Sequence, residues 1–258
     1  MRRAKVIAIT NQKGGVGKTT TAINLAAGLA IMNRRVLLID LDPQGNATSG
    51  VGYIHKDGPT LYDSFCDGVH LSKTIRQSLE HFDLVPTLSH LTAAEVKLLQ
   101  QPNRERKLKT LIDDVSQNYD FILIDCPPAL NILTVNALIA AQSVIIPVQC
   151  EYFALEGLTK LLRTIDQLKA STNQGLAIEG LLRTMYDGRN KLSQEVSEQI
   201  NKHFSAQVYE TIVPRNVRLA EAPSHGMSAL KYDRLCQGAI AYLALAAEIA
   251  RKSERVYG

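Results

Sequence analysis

Between residues 11 and 20 the chain reads Asn-Gln-Lys-Gly-Gly-Val-Gly-Lys-Thr-Thr, directly after the apolar run 5–10. Gly14, Gly15 and Gly17 let a backbone turn tightly and approach an anion closely. The peptide N–H groups then point inward as a nest. A helix beginning near Lys18 adds the positive end of its dipole. In this pattern Lys18 suits the β- and γ-phosphates of a nucleotide and the Thr19 hydroxyl suits Mg²⁺. Thr20 adds a hydroxyl near the α-phosphate. The stretch from Gly14 through Val16 to Thr20 therefore reads as a nucleoside triphosphate loop. The usual spacing asks for glycine at position 12, where the chain has Gln12, and a second lysine, Lys13, follows.

Lys13 lies across the glycine turn from Lys18 and cannot easily duplicate its work. Spacing leaves two readings open. One is a solvated rim charge. The other is an ammonium that leaves its own site and reaches a nucleotide bound by a second subunit. A two-fold dimer facing its own phosphate loops allows the second reciprocally. Such a charge stabilises a transferring phosphoryl group, as an arginine finger does.

Three acids stand at the ends of apolar runs. Asp40 and Asp42 close the stretch 34–42, placed i and i+2, so they point the same way while the chain stays extended. Pro43 then disfavours a helix and begins a turn. A carboxylate here can orient or polarise an attacking water, and Asp40 can help organise a Mg²⁺ shell. Turn chemistry alone also favours Asp in this place. Asp125 closes the run 119–125, where an acid can hold Mg²⁺, often through water. Cys126-Pro127-Pro128 cannot continue a regular strand. Those residues and Gly45-Asn46 read as two segments that sense the γ-phosphate.

These residues need a scaffold that brings strand ends together. Strand-like runs at 5–10, 34–40, 82–86, 119–125, 143–148, 175–185 and 206–214 alternate with helix-like stretches. The helices are expected from about Lys18 and near 88–100, 104–117, 131–141, 153–170, 191–203 and 233–252, the last with Asp233 as its N-cap. Continuous apolar strands between helices predict an α/β fold: a single P-loop domain over residues 1–258, with a mainly parallel sheet covered by helices on both faces. In such sheets ligands sit at the carboxyl ends of strands.

Composition excludes several classes. Of 258 residues, 45% are hydrophobic and 21% charged, which is ordinary for a globular protein. No tract is apolar enough to span a membrane, and the brief basic start leads into a strand and not a signal peptide. Cys66, Cys126, Cys150 and Cys236 lie far apart, so zinc and redox motifs are weak and free thiols in a reducing cytosol are expected. The net charge of +4 is uneven: 18 basic against 17 acidic residues in 1–180, and 11 against 8 in 181–258. The late basic residues Arg183, Arg189, Lys191, Lys202, Arg215, Arg218, Lys231 and Arg234 read either as a solvated surface or as a phosphate-binding face.

The stretch 13–20, Lys-Gly-Gly-Val-Gly-Lys-Thr-Thr, resembles the deviant Walker A motif of ParA/MinD ATPases. The stretches 38–52, 120–130, 144–158 and 213–226 resemble the Soj/ParA branch of DNA-partitioning ATPases, so the resemblance covers nearly the whole chain. It implies ATP and Mg²⁺ as ligands, with Thr19, Asp40 and Asp125 around the metal, the acids acting through water. It assigns the hydrolytic water to Asp42 and carries Lys13 across a homodimer interface to the partner's ATP. Pro214 and Asn216 match the adenine pocket. Arg189 and Arg218 match basic positions of a surface that binds double-stranded DNA without sequence preference. Glu151 resembles a residue near the dimer face, though an acid satisfying a helix N-terminus fits it equally. The resemblance also implies a ParB-like partner that stimulates hydrolysis and a cytoplasmic, nucleoid-associated location.

The chain departs from close relatives at Gly226-Met227-Ser228, where they read Gly-Lys-Pro. That removes one basic residue from the expected DNA face. The alternative reading is a MinD-like membrane-associated positioning ATPase, which needs an amphipathic C-terminal helix with a bulky apolar face. Residues 239–250 are small and aliphatic, so that helix reads as core packing and no stable membrane association is expected. An iron–sulfur ATPase would need cysteines shared at the dimer face, and Cys126 has no evident companion. A nucleotide-sensing DNA-binding scaffold that barely turns over is opposed by the presence of Asp42.

Overall fold

The computed structural model describes residues 3–54 and 58–257, the last three of these for backbone only. In chain order the described elements are β1 (Lys5–Ile9), α1 (Lys18–Ile31), β2 (Val36–Asp40), α2 (Asn46–Gly50), α3 (Leu61–Cys66), β3 (Arg76–Gln77), β4 (Asp83–Val85), α4 (Leu91–Leu99), α5 (Lys107–Asp113) and β5 (Phe121–Asp125). There follow α6 (Ile132–Ala140), β6 (Ser143–Gln149), α7 (Ala154–Ser171), β7 (Ala177–Tyr186), α8 (Lys191–Phe204), β8 (Val208–Pro214), α9 (Val217–Glu221), α10 (Ala229–Tyr232) and α11 (Gln237–Tyr257).

The strands form one sheet in the order β3-β4-β2-β5-β1-β6-β7-β8. Every pairing is parallel except β3 with β4. The mainly parallel α/β sheet expected from the continuous apolar runs is therefore present. The small antiparallel edge at Arg76–Gln77 is new: two residues carry no periodicity to read.

Strand residues alternate between two cores, as a pleated backbone requires. Val6, Ala8, Leu37, Ile39, Ile122 and Ile124 pack toward α3–α8. Ile7, Ile9, Val36, Leu38, Phe121 and Leu123 pack toward α1, α10 and α11. The inner face of α11 puts Tyr242, Leu245, Ala246 and Ile249 into that second core. The small aliphatic residues of this helix serve packing, as the sequence suggests.

Two boundaries and one surface assignment are corrected. The stretch 104–117 is broken, with α5 only at Lys107–Asp113 between short 3₁₀ turns. The last helix begins at Gln237, not 233, and Asp233 instead ends α10. Its carboxylate accepts the Leu235 N–H at 3.3 Å and pairs with Arg218 at 3.4 Å. An aspartate caps a turn by the same side-chain acceptance that caps a helix, so sequence alone could not choose. Arg183, counted above with the basic surface, is 7% exposed and donates to Ser197 Oγ at 3.2 Å and Tyr209 O at 2.9 Å.

Candidate active site

The strand order puts the carboxyl ends of β2, β5, β1 and β6 side by side. Register pairs Asp40 with Asp125 and Asp125 with Ile9, the last residue before the glycine loop. This is where ligands sit in open α/β sheets. The loop is held from both sides. Asn11 Nδ2 donates to Pro147 O at 2.7 Å, its Oδ1 accepts the Lys13 N–H at 3.0 Å, and Thr184 Oγ1 donates to Val16 O at 2.8 Å. Gly15 and Gly17 have φ of 73° and 86°, a region in which a side chain is strained.

Gly17 caps α1, whose first turn begins at Lys18. A cavity of about 520 Å³ opens over this turn, bounded by Gly14, Lys18, Thr19, Asp42, Asn46 and Met227 among others. A second cavity of about 360 Å³ adjoins it, sharing Gly17, Thr20 and Met185, and is lined by Pro214, Asn216 and Tyr242. Phosphate-binding and apolar spaces thus lie side by side. Met185, at the seam, has φ of 48°, rare for a non-glycine residue and of a kind that gathers at ligand clamps. Nothing in the sequence pointed to it. Asn216 Oδ1 caps α9 by accepting the Arg218 N–H at 3.0 Å, which leaves the Asn216 amide N–H groups for a ligand.

The two lysines of the loop diverge. Lys18 is 7% exposed and its Nζ donates to Lys13 O at 3.0 Å. Burial lowers its pKa, opposed by the nearby Asp125 and Asp42 carboxylates. Lys13 points to the rim, where its Nζ meets Glu151 Oε2 at 2.6 Å with both side chains nearly half exposed. Tyr152 and Phe153, 75% and 65% exposed, follow Glu151 immediately. The Lys13–Glu151 contact spans 138 positions of chain and has no local signal.

The acids differ in their surroundings. Asp125 is fully buried and neither carboxylate oxygen has a hydrogen-bond partner of good geometry, although the Thr19 hydroxyl is near enough to favour its charged form. Desolvation, with Asp40 and Asp42 close by, raises its pKa well above the ordinary value. Asp40 is also fully buried, and desolvation pushes its pKa up to about 6. Its carboxylate, however, accepts three hydrogen bonds, from Asp42 N at 3.2 Å, Thr48 N at 2.7 Å and Thr48 Oγ1 at 2.7 Å. A carboxylate has roughly four lone-pair sites, so Asp40 keeps room for about one further donor, such as a metal-bound water. Asp42 lines the cavity; its Oδ1 accepts the Gln44 N–H at 3.0 Å.

The chemistry of this set fits a hydrated divalent cation. Two buried carboxylates face each other across adjacent strands, and the orphaned oxygens of Asp125 lie beside the Thr19 hydroxyl. An uncompensated buried charge is costly, and a cation bound here removes that cost. Asp125→Asn is therefore expected to keep or raise the melting temperature without Mg²⁺, by about 2–4 °C for a gain near 1 kcal/mol. The same change should abolish any Mg²⁺-dependent gain in the nucleotide-bound protein. Thermal melts with and without Mg²⁺ check this; an Asp125→Asn protein that still gains stability from Mg²⁺ contradicts the metal assignment.

Arg189 and Arg218 are exposed, but each is paired within the chain. Arg189 holds both oxygens of Asp187 at 3.0 Å, and Arg218 meets Glu221 at 2.7 Å and Asp233 at 3.4 Å. Arg215 and Arg234 are exposed and carry no ion pair among the described residues. Met227, at the departure noted in the sequence, lines the cavity over the glycine loop.

Fold and site together define a P-loop ATPase of the ParA/MinD group. Residues 4–178 match a family model described as an AAA domain. The chain is 51% identical over 248 residues to the sporulation initiation inhibitor protein Soj of Bacillus subtilis, covering 95% of this chain and 98% of that protein. It is 49% identical to the chromosome-partitioning ATPase Soj of Treponema pallidum, covering 97% and 99%. Among solved structures it is similar to a cobyrinic acid a,c-diamide synthase from Mycobacterium smegmatis with bound ADP and magnesium. That similarity has 35% identity, a TM-score of 0.84 and coverage of 96% and 94%. The septum site-determining protein MinD of Pyrococcus horikoshii with Mg-ADP aligns with a TM-score of 0.78 at 28% identity, covering 95% and 96%. The chain belongs to the Soj/ParA family of chromosome-partitioning ATPases.

Proposed function

We propose that this chain is an ATP-hydrolysing DNA-segregation protein. ATP closes a homodimer across the glycine loops, the dimer binds double-stranded DNA without sequence preference, and hydrolysis stimulated by a ParB-like partner releases it. Its place in the cell is then the cytoplasm, on the nucleoid. The observation that carries the reading is the divergence of the two lysines. Lys18 turns into the cavity, while Lys13 stands at the rim beside exposed Tyr152 and Phe153, where a second copy of the chain can receive it.

In this reading Gly14–Thr20 wrap the phosphates of ATP, with backbone N–H groups and Lys18 as donors. Pro214 and Asn216 border the space for the base. Thr19, with Asp125 and Asp40 acting through water, would hold Mg²⁺, and the ion would supply positive charge to offset that of the phosphate groups. Asp42 orients the attacking water. Lys13 reaches the partner's ATP and leaves Glu151, which sits at the same rim. Arg189 and Arg218 contribute to DNA phosphate contacts once drawn from their carboxylates, and the unpaired Arg215 and Arg234 add charge on the same segments.

The MinD-like alternative gains no support from α11, whose apolar face is packed in the core. Among the described residues no helix is long and apolar enough to cross a membrane.

Lys18→Ala is expected to weaken ATP binding by about 10- to 150-fold, since a charge-assisted hydrogen bond contributes about 1.5–3 kcal/mol. Equilibrium binding of ATP measures this, and unchanged affinity removes the loop from the site. The dimer step is tested by light scattering of the Asp42→Ala protein with ATP and with ADP. Doubling of mass with ATP alone supports the reading; one mass in both conditions opposes it.

A further inference from the structure

Asp42 can direct a water only if its own backbone is fixed, and the turn that carries it is short of regular structure. We propose that Thr48 is a positioning residue for ATP hydrolysis, acting through Asp40 to fix the turn that bears Asp42. The inference rests on the reading of Asp42 as the acid that orients the attacking water.

Both ends of the turn are tied to one carboxylate. At the leading end Asp40 Oδ1 accepts the Asp42 N–H at 3.2 Å. At the far end Asp40 Oδ2 accepts the Thr48 N–H and the Thr48 hydroxyl, each at 2.7 Å. Residues 42–48, the loop and the first turn of α2, are thereby closed onto the end of β2. The Thr48 hydroxyl oxygen also accepts the Thr87 N–H at 2.9 Å, just beyond β4. A hydroxyl has one proton and two lone pairs, so Thr48 donates inward to Asp40 while accepting from the neighbouring chain.

Burial gives this network its force. Asp40, Thr48 and Thr87 are 0%, 4% and 2% exposed, and a buried polar group left without a partner is costly. The arrangement is therefore rigid, and it specifies a hydroxyl at position 48 and not merely the shape of threonine. Within the turn Asp42 Oδ1 is held by the Gln44 N–H at 3.0 Å and Asp42 O by the Gly45 N–H at 2.9 Å. Asp42 Oδ2 accepts no hydrogen bond among the described residues, and the side chain lines the cavity. One oxygen is anchored, and the other is left without a hydrogen bond among the described residues in a side chain that borders the ligand space. Displacement of a catalytic group by about 1 Å can cost roughly 100-fold in rate, so loosening the anchor at Thr48 acts on turnover before it acts on binding.

The experiment compares wild type, Thr48→Val, Thr48→Ser and Asp42→Ala in steady-state ATP hydrolysis, equilibrium binding of a fluorescent ATP analogue, and thermal melting. Thr48→Val keeps the shape and removes the hydroxyl; Thr48→Ser keeps the hydroxyl. The expected result for Thr48→Val is a kcat lowered about 100-fold with ATP affinity within about threefold of wild type. Thr48→Ser should return kcat to within about threefold. A Thr48→Val kcat within threefold of wild type, beside an inactive Asp42→Ala, overturns the role of Thr48 and leaves that of Asp42 standing. Equal losses in kcat and affinity also overturn it, because they report collapse of the site. An active Asp42→Ala removes the reading beneath it. If circular dichroism finds Thr48→Val unfolded, Thr48→Ala, which leaves room for water, carries the same comparison with Thr48→Ser.

Discussion

Replacing Lys13 by alanine should lower ATP turnover by about 1,000-fold or more while leaving the monomer folded and able to bind ATP. The size follows from the cross-subunit role. A cation supplied to a transferring phosphoryl group contributes about 10³–10⁵ in rate in other NTPases. The structural cost is small by comparison. Within one chain Lys13 makes a surface ion pair with Glu151, its Nζ 2.6 Å from Oε2, and such pairs contribute about 0–1 kcal/mol. The buried Lys18 is untouched, so ATP affinity of the monomer should change little. Turnover, ATP affinity and thermal midpoint measured together separate the two readings of this lysine. A rim charge alone predicts near-normal turnover; the cross-subunit role predicts its loss with the other two quantities kept.

Asp42→Ala should lower turnover by about 100- to 10,000-fold, the range over which a positioned acid or base acts on a proton in flight. Binding of ATP should survive, because Gly14–Thr20 and the Asp125 side of the cavity are unchanged. The substitution removes the carboxylate acceptor of the Gln44 N–H, a bond of about 1.5–3 kcal/mol, but Gln44 is exposed and water can replace it, so the fold should persist. The protein should therefore accumulate as an ATP-bound dimer. Phosphate release and light scattering of the same sample check this. Rapid phosphate release by Asp42→Ala would take the acid out of the mechanism, whatever its oligomeric state.

The two substitutions act on opposite links of the cycle. In the proposed cycle the dimer should fail to be completed without Lys13, and should be completed but not resolved without Asp42. A protein whose DNA affinity depends on dimer charge is then locked off by the first change and locked on by the second. Binding that neutralises Z phosphates falls with salt with a slope of about −0.9Z on logarithmic axes, so a dimer with twice the contacts is more salt-sensitive as well as tighter.

What was legible in the sequence shares one property: it is local. The glycine loop is contiguous, and its glycines, Lys18, Thr19 and Thr20 could be read from spacing, while spacing left two readings of Lys13 open. The ends of β2 and β5 could be read because long apolar runs stop at Asp40 and Asp125, and the register sets those two residues opposite each other. The illegible features are tertiary. Lys13 finds Glu151, Asn11 finds Pro147 and Thr48 finds Thr87 across 138, 136 and 39 positions. None leaves a periodic trace. Asp40 shows the limit best: its residue type and place at a strand end suggest a metal shell, but give no sign of the hydrogen bonds by which it also anchors Asp42 and α2. Arg183 shows the same limit for charge, since a buried arginine and a surface one are written alike. Short helices such as α2 and α9 contain too few residues for a hydrophobic period to emerge.

The central claim is that nucleotide state becomes dimer state through Lys13, and dimer state becomes DNA affinity. The most direct measurement is binding to random-sequence duplex DNA with ATP or ADP across a salt series, using the Asp42→Ala protein and its Lys13→Ala double variant. The account predicts tight, salt-sensitive binding by Asp42→Ala with ATP only, and its loss in the double variant. Binding that ignores the nucleotide, or that survives without Lys13, would contradict it.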